Sequence, residues 1–297
     1  MSYEHPPYRP PSEAGSVLFR LTRGCPWNQC TFCSMYKDTP FERRPVEEIV
    51  QDIQRAKEIY GPHVTTFFFG DSNSLILDAG ILEQILHSLY DNFQNIDRVT
   101  SYARAKTLCK KSLEDLRRIR KAGLTLLHIG LETGDAELLT EIRKGVTPDQ
   151  MVEGCVRARE AGFEVSLYVL AGIGGEAKWQ QHATGTADVI NRADPHFIRI
   201  RTYVPTPYSS LYDREKNNQF QLASPETILR EQYLLIDLLE VTSQYLSDHV
   251  SNYVPVYGTL PDDKTGMLET LDRAIGDLSS NESYRRSLEM KRHLTHL

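Results

Sequence analysis

Six short runs rich in β-branched and aromatic residues start near Val17, Val64, Arg98, Leu126, Val165 and Phe197, at intervals of 28 to 47 residues. An interval of that size holds one strand, one helix and their connections. The chain is therefore constrained to successive βα units around a parallel sheet. The helix punctuation agrees. Pro45 opens a helix that Gly61 closes, and Asp78 precedes the next. Ser112 with Asp115 caps a third ending at Gly123, Thr147-Pro148 starts one closed by Gly162, and Ser224-Pro225-Glu226 starts a long one.

The two faces of each run decide between sheet types. Val17, Phe19 and Leu21 alternate with Leu18, Arg20 and Thr22; Leu127, Ile129 and Leu131 with His128, Gly130 and Glu132. Val165, Leu167 and Val169 oppose Ser166, Tyr168 and Leu170, and Ile198 and Ile200 oppose Arg199, Arg201 and Tyr203. A doubly wound sheet buries both faces and reads apolar throughout. One apolar face and one carrying Arg, His, Glu and Tyr suit a barrel with a wet lumen. A closed eight-stranded barrel fills its interior with branched side chains, so six strands with a polar lumen predict an α/β, partial (β/α)6 TIM-type barrel. Residues 12–242 are expected to form this core, and 243–297 a C-terminal extension that closes it.

Length allows this, since 297 residues bury a substantial core. No run of 18 apolar residues exists to span a membrane, and the Pro- and Tyr-rich start from Met1 to Pro11 lacks the apolar stretch of a signal peptide. A net charge of −6 argues against a nucleic-acid-coating protein. Of five cysteines, Cys25, Cys30 and Cys33 fall within nine residues just after the first strand. An odd count without a secretory signal points to a metal site rather than a disulfide framework. In a barrel this loop lies on the C-terminal rim, where active sites are built.

Structural zinc takes four ligands, usually as two close pairs. Here the nearest downstream histidine is His63, Cys155 lies mid-helix among apolar residues, and Cys109 is isolated. Three local thiols without a fourth fit a four-iron cluster with one iron open to a small molecule. An iron–sulfur electron carrier or a zinc-bound binding scaffold is the competing class.

The loop Cys25-Pro-Trp-Asn-Gln-Cys30-Thr-Phe-Cys33, with the turns after the second, fourth and fifth strands, resembles the radical S-adenosylmethionine (radical SAM) superfamily, and coproporphyrinogen-oxidase-like and Elongator-like members in particular. Its C-x4-C-x2-C spacing departs from the commonest C-x3-C-x2-C. The resemblance spans roughly Val17 to Thr242 and implies a [4Fe–4S] cluster on Cys25, Cys30 and Cys33, with S-adenosylmethionine on its open iron. It implies a 5′-deoxyadenosyl radical that abstracts hydrogen from substrate, an electron donor such as a flavodoxin or ferredoxin, and a reducing cytoplasm. It places Phe32 beside the adenine. Gly70-Asp71-Ser72 corresponds to a turn that holds the cofactor ammonium, where Asp71 or Ser72 can accept hydrogen bonds. Glu132, in Gly130-Leu-Glu-Thr-Gly134, corresponds to a ribose contact, Arg143 to a carboxylate partner, and Ala171 with Gly172 to the adenine pocket.

Arg20, Arg104, Arg199 and Arg201 face the lumen in this phasing, and predict an anionic, small-molecule substrate that arginine can clamp. A methyl or methylthio transferase of the same superfamily is the second enzymatic alternative. The tail motifs around His249-Val-Ser-Asn-Tyr253 match nothing, and are expected to touch the substrate.

Overall fold

A computed structural model of the chain describes residues 8–292. Much of the expected signal-free start, Met1 to Pro11, lies outside these residues, as do positions 293–297 of the expected extension. The strands are β1 (Val17–Arg20), β2 (Thr66–Gly70), β3 (Arg98–Ala103), β4 (Leu126–Glu132), β5 (Glu164–Ala171), β6 (Phe197–Thr202), β7 (Gln244–Ser247) and β8 (Val256–Thr259). They succeed one another in one sheet in chain order. The six expected strands thus form within a few residues of their expected starts. The sheet differs from expectation in having two more, drawn from the tail. Each is four residues long, too short for a period-2 pattern to stand out in sequence.

The described residues divide into two compact units: 8–28, 36–129 and 153–165 in one, and 29–35, 130–152 and 166–292 in the other. In the first, β1 and β2 pair in parallel, as do β2 and β3, and Phe19, Phe69 and Ser101 fall in register. Thr100 to Ala103 of β3 pair in parallel with Leu126 to Ile129 of β4. Helices α1 (Val46–Tyr60) and α2 (Ala79–Asn92) pack together, and α4 (Leu113–Lys121) on α2. Phe19 stacks on Phe67, and Phe67 meets Phe93 at a tilt, all three fully buried. A short helix, α3 (Ala105–Lys110), precedes α4, which Ser112 caps by accepting from Asp115 N–H, as its sequence predicts.

His128, on the polar face, is a structural residue. Its Nε2 lies 3.1 Å from Glu13 Oε1, and the Glu13 carboxylate also accepts from Ser16 Oγ at 2.7 Å. Burial works against the Glu13 charge, but hydrogen bonds from His128 and Ser16 and the Arg98 charge hold its carboxyl below the usual range.

In the second unit β5, β6 and β7 pair in parallel, and β8 returns antiparallel to β7. Its helices are α5 (Ala136–Glu141), α6 (Pro148–Glu160, whose later turns belong to the first unit), α7 (Trp179–Ala193), α8 (Ser210–Lys216), α9 (Pro225–Leu238), α10 (Lys264–Ser280) and α11 (Glu282–Lys291). The faces of β6 fall as the alternation predicts. Ile198 and Ile200 are buried, whereas Arg199 and Arg201 are half-buried. Among the described residues no helix is long and apolar enough to cross a membrane.

Candidate functional site

The first unit carries the start of the cysteine loop. Beyond β1, Thr22–Arg23 pairs antiparallel with Glu42–Arg43. Gly24 then turns the chain at φ +71°, where a Cβ would sit 2.8 Å from the carbonyl oxygens of Thr39 and Pro40. Only glycine fits that approach. The Asn28 N–H donates to Cys25 Sγ at 3.3 Å, and Asn28 is fixed by its side-chain bond to the Tyr36 carbonyl at 2.6 Å. Ser72 Oγ donates to the Gly24 carbonyl at 3.1 Å, tying the turn after β2 to this loop.

That turn ends β2 at Gly70 and flips Asp71 into the left-handed region, φ +62°. A non-glycine residue there is held against local strain, which clusters at functional sites. Asp71 is 3% exposed, with Arg20 Nε 3.5 Å from its Oδ1. Burial raises its carboxyl to about 6, outweighing the charge of Arg20, so Arg20 only partly offsets a buried acid. Arg104, the second expected substrate cation, has its backbone N–H on Asn73 Oδ1 at 3.1 Å and its guanidinium 5.3 Å above the Trp27 ring. Arg20 and Arg104 thus have partners within the loop and turn.

The second unit carries Cys30, Phe32 and Cys33. The Thr31 N–H donates to the Ile142 carbonyl at 3.0 Å, and the Leu211 N–H to the Thr31 carbonyl at 2.8 Å. Ser34 Oγ lies 3.0 Å from Thr206 Oγ1. Phe32 packs against buried Ile142, Ile173, Tyr203, Leu211 and Leu222, an apolar wall suited to an aromatic ring.

Glu132 ends β4 at φ +63°, and Gly172, just past β5, stands at φ +80°. With Asp71, the left-handed residue recurs at the ends of three strands. The expected carboxylate partner, Arg143, lies beyond the end of α5 in a turn at φ +51° and is exposed. Its neighbour Lys144 turns inward instead, with Nζ 2.6 Å from Glu132 Oε1 and 5.8 Å above the Phe32 ring. Sequence reasoning missed Lys144 because either of two adjacent cations can face inward once a helix ends ahead of them.

Reasoning from sequence also missed the pair behind these turns. His182 on α7 and Glu231 on α9 are fully buried. His182 Nε2 lies 3.1 Å from the Glu132 carbonyl oxygen, so it is the donor there. Its Nδ1 lies 3.1 Å from Glu231 Oε1, which also accepts from the Gly172 N–H at 2.9 Å. Burial opposes the imidazolium, but the Glu231 charge and hydrogen bond and the Glu132 carbonyl overcome it and hold the His182 pKa above its usual value. One ion pair thus fastens the Glu132 and Gly172 turns together.

The donor set fits an iron–sulfur centre. All five cysteines are free thiols, and Cys25, Cys30 and Cys33 are half-buried. The Asn28 amide donating to Cys25 Sγ orients that sulfur within the loop. Among the described residues no three His, Cys, Asp or Glu side chains are gathered for a single metal ion; three cluster thiolates each ligate a different iron. Cys109 and Cys155 do not join them. Burial raises Cys109 to about 11, with Glu153 adding to the effect, and fully buried Cys155 to about 12.

A parallel α/β fold, a cysteine-bearing loop after the first strand and left-handed turns at later strand ends define a cofactor-binding enzyme core. The chain belongs to the radical SAM superfamily, whose sequence model matches residues 19–184, more than half of its length. That family uses a [4Fe–4S] cluster and S-adenosylmethionine. The chain is 21% identical over 239 residues to an uncharacterized methyltransferase of Pyrococcus horikoshii, covering 77% of this chain and 48% of that one. It is 22% identical over 204 residues to the heme chaperone HemW of Bacillus subtilis, covering 66% and 53%. It spans about half the length of these curated relatives. Coproporphyrinogen III oxidase (HemN) of Escherichia coli, a radical SAM enzyme, superposes with a TM-score of 0.58 at 17% identity, over 75% of this chain and 52% of that one. That likeness shows the fold, which is the expected α/β fold of the partial (β/α)6 type.

Proposed function

We propose that this chain is a radical SAM enzyme whose Cys25, Cys30 and Cys33 hold the [4Fe–4S] cluster and which acts on an anionic small molecule. The observation that carries the reading is the loop of three free thiols directly after β1, inside the matched family region. Held there and reduced by a donor of the flavodoxin or ferredoxin type, such a cluster would supply the electron for reductive cleavage of S-adenosylmethionine, and with it hydrogen abstraction from the substrate.

The protein's own residues orient and shield. Asp71 and Ser72 would accept hydrogen bonds from the cofactor ammonium, and the raised Asp71 carboxyl would fall with that cation beside it. Glu132 would accept from the ribose hydroxyls. Lys144, whose Nζ lies 5.8 Å above the Phe32 ring, would be the cation that pairs with the cofactor carboxylate, in place of the exposed Arg143. Phe32 and Ile173, which share one apolar cluster, together with Ala171 and Gly172 would line the adenine and exclude water from a reactive centre. Residues 12–242 act as the core. The extension from 243, which adds β7 and β8 to the sheet, covers the substrate side.

Anaerobic reconstitution, reduction with dithionite and addition of S-adenosylmethionine tests this: 5′-deoxyadenosine is expected from the native chain and not from Cys33→Ala. Similarity to a methyltransferase favours methyl transfer as a second reading. S-adenosylhomocysteine among the products distinguishes it.

A further inference from the structure

The four arginines expected around the substrate are not equivalent. Arg20 lies against Asp71, and Arg104 over Trp27. Arg199 and Arg201 stand two residues apart on one face of β6, and among the described residues neither makes an ion pair with a carboxylate. Their partners are neutral. Arg199 Nε donates to Ser166 Oγ at 3.2 Å and its guanidinium lies 5.7 Å from the Phe197 ring, while that of Arg201 lies 5.2 Å above the Tyr168 ring. Two half-buried guanidinium groups held by neutral partners have no counter-charge beside them, and an incoming oxyanion supplies it.

The segment between β7 and β8 adds a third donor. It is fastened to the end of β6, where the Thr202 N–H donates to Asn252 Oδ1 at 2.8 Å and lies 3.2 Å from Ser251 Oγ. Asn252 Nδ2 donates to the Ile200 carbonyl at 2.9 Å. Next to this anchor, His249 Nδ1 accepts the Ser251 N–H at 3.2 Å and sits 2.7 Å from Ser251 Oγ. A ring nitrogen that accepts a backbone N–H carries no proton, so the neutral imidazole keeps its proton on Nε2 and can donate from there. Burial first, and then the charge of Arg201, push the ring down to about 4, with Asp248 pulling the other way. The imidazole is therefore neutral at physiological pH and responds to whatever offsets Arg201.

We propose that Arg199, Arg201 and the Nε2–H of His249 form an oxyanion-binding subsite that holds the carboxylate or phosphate group of the substrate. The proposal rests on the reading of this chain as an enzyme for an anionic substrate, and gives the unassigned tail segment its task. Two guanidinium forks and one neutral donor match an anion that only accepts hydrogen bonds.

The test titrates inorganic phosphate, and separately succinate, into the full chain. The ring resonance of His249, assigned by its loss in His249→Gln, gives both probe affinity and ring pKa. Saturable binding of at least one probe is expected, with the pKa rising from about 4 toward the ordinary value as the anion offsets Arg201. Arg199→Gln and Arg201→Gln should each weaken binding about tenfold or more, and His249→Gln by a smaller factor. Which probe binds tells a phosphate site from a carboxylate site. No saturable binding of either, an unmoved His249 pKa at saturation, or unchanged affinity in Arg201→Gln with native circular dichroism overturns the proposal. Production of 5′-deoxyadenosine by the native chain is scored separately: its absence removes the radical reading without touching the anion result.

Discussion

Asp71 is 3% exposed, left-handed at φ +62°, and has its carboxyl raised to about 6. A folded pKa above the unfolded one contributes stability in full below about pH 4, and loses it as pH rises through about 6. The difference from the ordinary value of 3.8 is worth about 3 kcal/mol. Asp71→Asn is therefore expected to raise the melting temperature above pH 7 in the absence of cofactor. Binding of S-adenosylmethionine should release a proton near pH 6, measurable by calorimetry in buffers of different ionisation enthalpy, and that release should vanish in Asp71→Asn. Lys144 makes the second residue-scale prediction. Lys144→Gln is expected to weaken S-adenosylmethionine binding about tenfold in equilibrium dialysis, and Arg143→Gln by less than about twofold. The reverse order would restore Arg143 as the carboxylate partner. Neither residue's state was legible in the sequence. Burial sets the Asp71 pKa, and the point where α5 stops decides which of two neighbouring cations turns inward.

Among the elements, strand ends matter more than strand interiors. Asp71, Glu132 and Gly172 turn left-handed where β2, β4 and β5 finish, and the His182–Glu231 pair ties the last two turns together. Glu231→Ala removes the acceptor of the Gly172 N–H and leaves His182 without its counter-charge. The KM for S-adenosylmethionine should rise about tenfold while kcat at saturation falls far less. Glu231→Gln keeps an acceptor for Gly172 and should recover part of the loss, which a purely destabilising role would not give. Strands and long helices were legible because their stops are chemical: Pro45, Gly61, Ser112, Gly123, Pro148, Gly162 and Ser224 act on their own backbone. Helices α3, α5 and α8 have six or seven residues, too few for a helical period, and the β7–β8 pair is shorter still. The His182–Glu231 pair joins positions 49 residues apart, a separation no local pattern reports.

At the scale of the whole molecule, chain order carries the site. Cys25, Cys30 and Cys33 fall within nine consecutive residues just after the first strand. The family was legible in those residues, because three thiols so close in a cysteine-poor chain have few chemical uses. The proposed substrate was legible only as a charge sign. Four arginines share the polar phasing, and tertiary pairing alone shows that Arg20 and Arg104 are engaged elsewhere while Arg199 and Arg201 lack an acid among the described residues. The most direct test of the account is 5′-deoxyadenosine formation by the anaerobically reconstituted, dithionite-reduced chain given S-adenosylmethionine. 5′-Deoxyadenosine together with methionine is expected from the native chain, and neither from Cys33→Ala. A fully loaded, reducible cluster that leaves S-adenosylmethionine intact would contradict it.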